Sequence, residues 1–452
     1  MSDSEFDFDI AIIGAGIGGL GLAIGLTHLS IPFTIYESAP AFSAVGAGVG
    51  LGPNALRAMD LIDPRFRDMY MAIATGNLKP EKKHVMMEAM LMEDGLGEGQ
   101  PWWGKGEWGS PNFERTGAHR KDLLDIMTSL IDKRRVRFGK RVLDLRQHDD
   151  TVTLVFDDGE TVRHAAAIGC DGVKGITRRF ALGARWPDCV EPKYTGKYCY
   201  RAIVTMDQAK EIMGDLATDA KMFFARDGNF STYPISEGTR VNVVAFKRDE
   251  KAWSKEGNAY EVTREEMMQD FEDGVDARLL SLLEYAKPTR WGLFHHPKTP
   301  TYYCSLLSLL GDVAHAGGPH QGAGAGQGLE DSLILSRVLG TLYHTSTPDT
   351  LATPSPLRTR LFEAAFQAYD EIRRPRAEKQ VLTAQECGEI YNLRGEAGRP
   401  ITVQEALTNL NTRFEWIWEH DLAGDAKKVD ALYRELVRGL EGGSNEQSVK
   451  TS

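Results

Sequence analysis

The stretch Asp9-Ile-Ala-Ile-Ile13-Gly14-Ala-Gly16-Ile-Gly-Gly19, continued by Leu20 to Leu29 and then Phe33-Thr-Ile-Tyr-Glu37, decides the fold. Its first segment is an unbroken apolar run, as expected of a parallel strand buried on both faces. Strand, glycine turn, helix and second strand follow in the order of a βαβ unit. In the G-x-G-x-x-G turn, Gly14 allows the tight bend, Gly16 lets backbone approach a pyrophosphate, and Gly19 lets helix and strand lie close together. The helix amides and the positive end of the dipole then face the diphosphate. Glu37 ends the second strand, 18 residues past Gly19, where a carboxylate can accept hydrogen bonds from a ribose diol. The pattern predicts dinucleotide binding. A glycine-rich packing turn beside a solvated Glu37 is the alternative.

A second α/β-like stretch lies near Arg120 to Leu130, followed by short strands at Val142 to Arg146 and Thr151 to Phe156. The Asp157-Asp-Gly159 turn leads into Thr161 to Cys170. From Tyr194 to Phe246 the period drops to two, in Tyr198 to Thr205, Lys221 to Ala225, Phe230 to Ile235 and Arg240 to Lys247. That pattern predicts an antiparallel sheet forming a separate layer. Pro356 to Trp418 has helical spacing, with a break expected at Arg373-Arg-Pro375. Gly95 to Ser110 is glycine-rich, carries Trp102, Trp103 and Trp108, and is expected to form a long surface loop packed on the body. His295 and His296 are strand neighbours pointing to opposite faces, a poor arrangement for a metal.

Of the 452 residues, 42% are apolar and 26% charged, which fits a folded globular chain and excludes collagenous, coiled-coil and disordered classes. Lys and Arg number 53 against 64 Asp and Glu; the net charge of −11 has the wrong sign for a phosphate-backbone binder, so no nucleic-acid partner is expected. Cys170, Cys189, Cys199, Cys304 and Cys387 are scattered, odd in number and never in a C-x-x-C arrangement. Neither disulfides nor a zinc site is suggested, and a cytoplasmic location is expected. The apolar run from Ile10 to Leu26 is as long as a short membrane span, but its glycines and acidic flank argue against one, so no membrane association is expected.

Further motifs are Cys170-Asp171-Gly172 with Arg178, and Leu309-Leu-Gly311-Asp312-Val-Ala-His315, followed by Pro319-His-Gln-Gly-Ala-Gly-Ala-Gly326 and Glu330-Asp331. Together with the glycine turn they resemble the Asp-Gly and Gly-Asp motifs of the single-component (group A) FAD-dependent aromatic hydroxylases. The chain most resembles the fungal salicylate hydroxylase-like branch, which also contains phenol-dearomatising monooxygenases. The resemblance runs from about residue 8 to about residue 385. It implies an α/β fold: a discontinuous Rossmann-type FAD-binding domain (1–70, 110–180 and 295–345), an inserted antiparallel β-sheet substrate domain (71–109 and 181–294), and a C-terminal helical region (346–440). Residues 441–452 are expected to form a disordered tail.

By this resemblance Asp312 meets the ribityl chain of FAD, with a helix N-cap as the alternative. The Gly322 to Gly326 run lets an isoalloxazine ring approach backbone, Ala325 contacts FAD, and a helix from about Gly328 points its amides at the ring. Arg120 is placed on the pyrophosphate, Gly50 where backbone meets FAD, and Asp171 between FAD and the nicotinamide, with a structural turn as the alternative for Asp171. Gly175 stands where the family commonly has serine. His315 and His320 are assigned no proton transfer.

The implied chemistry is reduction of FAD by NADPH or NADH, then reaction with O2 to a C4a-hydroperoxide that hydroxylates an electron-rich ring; no metal is expected. Arg201 is the candidate cation for an ionised phenol and Tyr233 its hydrogen-bonding partner, with an ion pair and core packing as the respective alternatives. The implied substrate is a small phenolic or salicylate-type aromatic. Attack at a carboxylate-bearing carbon would expel CO2, whereas attack at an alkylated carbon would dearomatise the ring. A monomer or homodimer is expected. The rivals are a flavin halogenase, whose W-x-W-x-I-P motif is absent, and a non-catalytic binding or escort protein on the same fold.

Overall fold

The computed structural model describes residues 8–42, 48–92, 106–271 and 274–448, with side chains as far as Leu440. Trp102 and Trp103 lie outside the described residues. The apolar segments Ile10–Ile13, Ala166–Gly169 and Leu307–Leu309 are buried on both faces. They form the middle of a six-stranded sheet ordered Tyr303–Cys304, Leu307–Leu309, Ala166–Gly169, Ile10–Ile13, Phe33–Glu37, Val136–Phe138. All neighbours are parallel except the first pair.

The register brings Ile13 beside both Tyr36 and Gly169, and Gly169 beside Leu309. Backbone bonds continue past the strand ends, from Gly14 N to Tyr36 O, Cys170 N to Ile13 O and Leu310 N to Gly169 O, each at 2.8–2.9 Å. The three motifs distant in sequence therefore leave one sheet at one carboxyl edge, where open α/β sheets bind their ligands.

The Ile17–His28 helix lies against the Gly324–Thr345 helix through its glycines. A Cβ on Gly21 would meet Ser332 Oγ at 2.8 Å, and one on Gly25 would meet Ser336 Oγ at 2.6 Å. Ser332 Oγ also donates to Gly18 O at 2.9 Å. The apolar glycine run is thus a core helix, and no described helix is long and apolar enough to cross a membrane.

Period-two alternation builds the second sheet. It has eight strands ordered Ala259–Glu261, Thr289–His295, Lys193–Thr205, Arg240–Arg248, Gly228–Ile235, Lys221–Phe224, Val85–Leu91, Gly106–Gly109. Pairing is antiparallel apart from Lys221–Phe224 with Val85–Leu91. Tyr198, Tyr200 and Ala202 pack with Met213, Met267 and Leu279 from the helices behind the sheet. Cys199 and Arg201, one residue out of phase, lie on the opposite face.

Two expectations are corrected here. Gly106–Gly109 is an edge strand, not part of a loop, because buried Trp108 packs beside Phe224 and Tyr391, with ring centroids 6.1 and 6.0 Å away. The break expected at Arg373-Arg-Pro375 is absent, and one 36-residue helix runs from Pro356 to Tyr391. Pro375 is on the exposed face, where the carbonyl it leaves unpaired can meet water. Its neighbours Arg373 and Arg376 meanwhile pin the helix to buried acids. The last helix continues through Ser448, into the stretch expected as a tail.

Arg373 is fully buried and binds Asp331 Oδ1 through Nε at 2.8 Å and Glu330 Oε2 through Nη1 at 2.6 Å. Removing one partner of a buried ion network strands the others. Arg373→Met is therefore expected to lower stability by about 3–5 kcal/mol in urea unfolding. A loss below about 1 kcal/mol, the range of exposed pairs, would contradict this role.

Candidate active site

Gly14 has φ +106°, and a Cβ there would meet Cys170 O at 2.5 Å. A Cβ on Gly19 would run into Gly14 O, whereas one on Gly16 would meet nothing within 4 Å. The first and third glycines thus serve packing, and the second leaves the helix N-terminus open. Glu37 accepts from Ala15 N at 2.9 Å and Ala39 N at 2.8 Å, which holds its carboxylate beside the glycine turn.

Asp312 starts a short helix, makes no capping bond, and presents an exposed carboxylate to a cavity of about 360 Å³. The N-cap alternative is therefore not what the geometry shows. The cavity is also lined by Gly50, Arg201, Tyr233 and Ala325, so five of the eleven candidate residues share one space. Its size falls at the lower end of the roughly 300–1,000 Å³ usual for small-molecule sites. The long helix behind the glycine run begins at Gly324, not at Gly328, so Ala325 sits in its first turn, where amides are unpaired. Gly322, with φ +59°, supplies the left-handed turn that allows this early start.

Arg120 does not line the cavity but lies near it. Burial lowers its pKa, Asp312 counters that effect, and Arg201 adds to it. Its Nε is buried without a hydrogen-bond partner among the described residues. Asp171 faces elsewhere: its carboxylate accepts from Thr177 N at 3.0 Å and Thr177 Oγ1 at 2.5 Å, as a structural turn would have it. A Cβ at Gly175 would strike this carboxylate, so glycine there lets Asp171 fold inward. Arg178 is a staple between the two motifs, donating to Val313 O at 2.9 Å and Ala314 O at 3.1 Å.

Arg201 pairs with no carboxylate among the described residues, and its guanidinium lies 5.3 Å from the centroid of the Trp291 ring. Tyr233 donates its hydroxyl proton to Gly48 O at 3.0 Å, fixing the Gly48–Leu51 strand to the antiparallel sheet. With that proton committed, Tyr233 can accept from a ligand but not donate to a phenolate.

Sequence reasoning missed Arg115, His320 and the wall of Met86, Met222 and Trp418, all of which line the cavity. Methionine and tryptophan in core-like runs give no signal. His320 belongs to a motif legible in the sequence, but only the fold shows its Nδ1 buried without a hydrogen-bond partner among the described residues. Burial pushes its pKa well below 6.5, so the ring is neutral at pH 7. His296 is held down to about 3, mainly by burial, with Nε2 donating to Val173 O at 3.1 Å. No group of His, Cys, Asp or Glu among the described residues could hold a metal ion.

These groups suit FAD: a glycine cradle open at Gly16, a carboxylate at Asp312 and a buried donor on Arg120 that have no partner among the described residues, and first-turn amides at Gly324 and Ala325. A parallel α/β sheet with a glycine turn at its carboxyl edge, beside a cavity lined also by an antiparallel sheet, defines the class, a flavoprotein of α/β fold. The family described as FAD binding domain matches residues 120–369. An FAD-dependent monooxygenase of Gibberella moniliformis is 41% identical over 97% of this chain and 99% of its own length. A 6-methylsalicylate 1-monooxygenase of Aspergillus terreus is 34% identical over 95% of this chain and 93% of its own. A solved salicylate hydroxylase substrate complex superposes with a TM-score of 0.78 at 30% identity, covering 94% of this chain and 98% of that one. The chain belongs to the FAD-dependent monooxygenases of the FAD-binding-domain family, the group A aromatic hydroxylases.

Gly14→Ala is expected to lower the melting temperature of the flavin-free protein, because it combines a positive φ with a backbone clash. Gly16→Ala should leave that temperature unchanged and weaken only FAD binding, read by fluorescence titration. Equal behaviour of the two variants would contradict the division of labour.

The two neutral histidines also set an acid limit. As pH falls below about 6.5 the unfolded chain takes up protons that folded His296 and His320 refuse, so stability is lost from there downward. At pH 5 the loss from His296 is about 2 kcal/mol, and His320 adds to it in the same direction. His296→Asn should remove part of this slope in urea unfolding at pH 7 and pH 5. An unchanged slope would contradict the assignment.

Proposed function

We propose that the chain is an NAD(P)H-dependent hydroxylase of a salicylate-type phenol, releasing CO2 when the carbon attacked carries the carboxylate. The observation that carries this reading is Arg201, a guanidinium without a carboxylate partner among the described residues, in the same cavity as Asp312 and Ala325. The 6-methylsalicylate and salicylate enzymes among the relatives support the substrate class. Bound FAD would supply the redox chemistry, taking two electrons from NAD(P)H and activating O2.

The chain's own residues hold the cofactor and prepare the substrate. Gly16 and Arg120 would hold the diphosphate of FAD, with Gly14 and Gly19 shaping the turn, Glu37 would accept from the ribose diol, Asp312 would meet the ribityl chain, and Gly50 and Ala325 would contact the cofactor through backbone. A free phenol, with a pKa near 10, is about 0.1% ionised at pH 7. Each unit by which Arg201 lowers that pKa reflects about 1.4 kcal/mol of preference for the phenolate. Phe246 and Met222 on the sheet, with Trp418 from the C-terminal region, exclude water around the ring. The overall balance is salicylate, NAD(P)H, O2 and two protons giving catechol, CO2, water and NAD(P)+.

The test is NADH and NADPH oxidation in air with salicylate, 6-methylsalicylate and simple phenols, followed by product mass. Salicylate is expected to stimulate oxidation and yield catechol. Arg201→Ala should retain FAD and lose product formation by on the order of 100-fold, the scale of removing a fixed electrostatic partner. Full turnover by that variant would overturn the assignment.

A further inference from the structure

Arg115 is only 7% exposed, yet it lines the cavity. Its Nη1 donates to Met86 O at 2.6 Å, and its guanidinium lies 4.9 Å from the centroid of the Tyr233 ring. No carboxylate among the described residues pairs with it. The groups that bear on its charge are the tyrosines Tyr233, Tyr70 and Tyr391, and burial draws its pKa down to about 10. An uncompensated buried cation is costly unless something neutralises it. The carbonyl and the ring fix this one in place, which suits a guanidinium that is to meet a carboxylate with paired hydrogen bonds.

Arg115 and Arg201 both line the cavity and both bear on the charge of Tyr233, so the cavity holds two cations near the same tyrosine. A phenolate oxygen satisfies one of them. We propose that Arg115 is the specificity-determining anchor for a carboxylate on the substrate, leaving Arg201 for the phenolic oxygen, so that the site selects hydroxybenzoates over neutral phenols. This rests on the reading of the site as a phenol hydroxylase and adds the group that chooses among phenols. Met86, Met87 and Met222, which also line the cavity, give it an apolar, adaptable wall for ring substituents.

The test is titration of the FAD-loaded protein with salicylate and with phenol, followed by the flavin absorbance change. In Arg115→Gln, salicylate is expected to bind on the order of 100-fold more weakly, about 2.7 kcal/mol, while phenol stays within about twofold. Arg115→Lys keeps the charge without the fork and should fall between wild type and Arg115→Gln for salicylate alone. It carries the test if Arg115→Gln fails to retain FAD. Equal weakening of both ligands would mean a packing role and overturn the proposal, as would unchanged salicylate binding. A wild type that turns over phenols while Arg115 variants keep their carboxylate selectivity removes the anchor only. A wild type inert with every phenol and salicylate removes the function beneath it.

Discussion

The structure depends on one buried ionic knot. Glu330 and Asp331, on the Gly324–Thr345 helix, meet Arg373 and Arg376 from the Pro356–Tyr391 helix with all four residues largely out of water. The spare capacity of these groups goes to the site. Asp331 accepts from Gly311 N at 3.0 Å and from His315 Nε2 at 2.5 Å, fixing the loop that presents Asp312. Glu330 accepts from Asn54 Nδ2 at 2.7 Å, and Arg376 donates to Trp416 O and Ile417 O, each at 3.0 Å. Cofactor loop, cavity wall and C-terminal region are thus set by one network whose members cannot move singly without leaving a charge unpaired.

Charge in the cavity follows a different rule. In the knot every cation has its anion, whereas among the described residues Arg115 and Arg201 have none. Drawing a guanidinium out of water without an anion beside it, as at buried Arg115, is unfavourable for folding alone. That cost would be offset by an anionic ligand in the cavity.

The parallel sheet was legible because its strands are short apolar runs that end in glycine motifs, and each motif marks a strand terminus. The antiparallel sheet was legible from its period of two, and alternation placed Arg201 opposite Tyr200; only the fold shows that the Arg201 face lines the cavity. Pro375 misled because a sequence shows the missing donor but not the arginines that hold the helix across it. The glycines before Gly328 read as loop and put the helix start there in the sequence, although left-handed Gly322 lets the helix begin at Gly324. Arg115 had no pattern to announce it: its meaning lies in what does not surround it.

The central claim is that three strand ends and one sheet face hold FAD and an aromatic acid in the same cavity. A crystal structure of the FAD-loaded protein with salicylate tests this most directly. The account predicts the isoalloxazine ring beside Asp312 and Ala325, with the phenolic oxygen on Arg201. A flavin ring outside that cavity, or a salicylate bound with its oxygens away from both arginines, would contradict it.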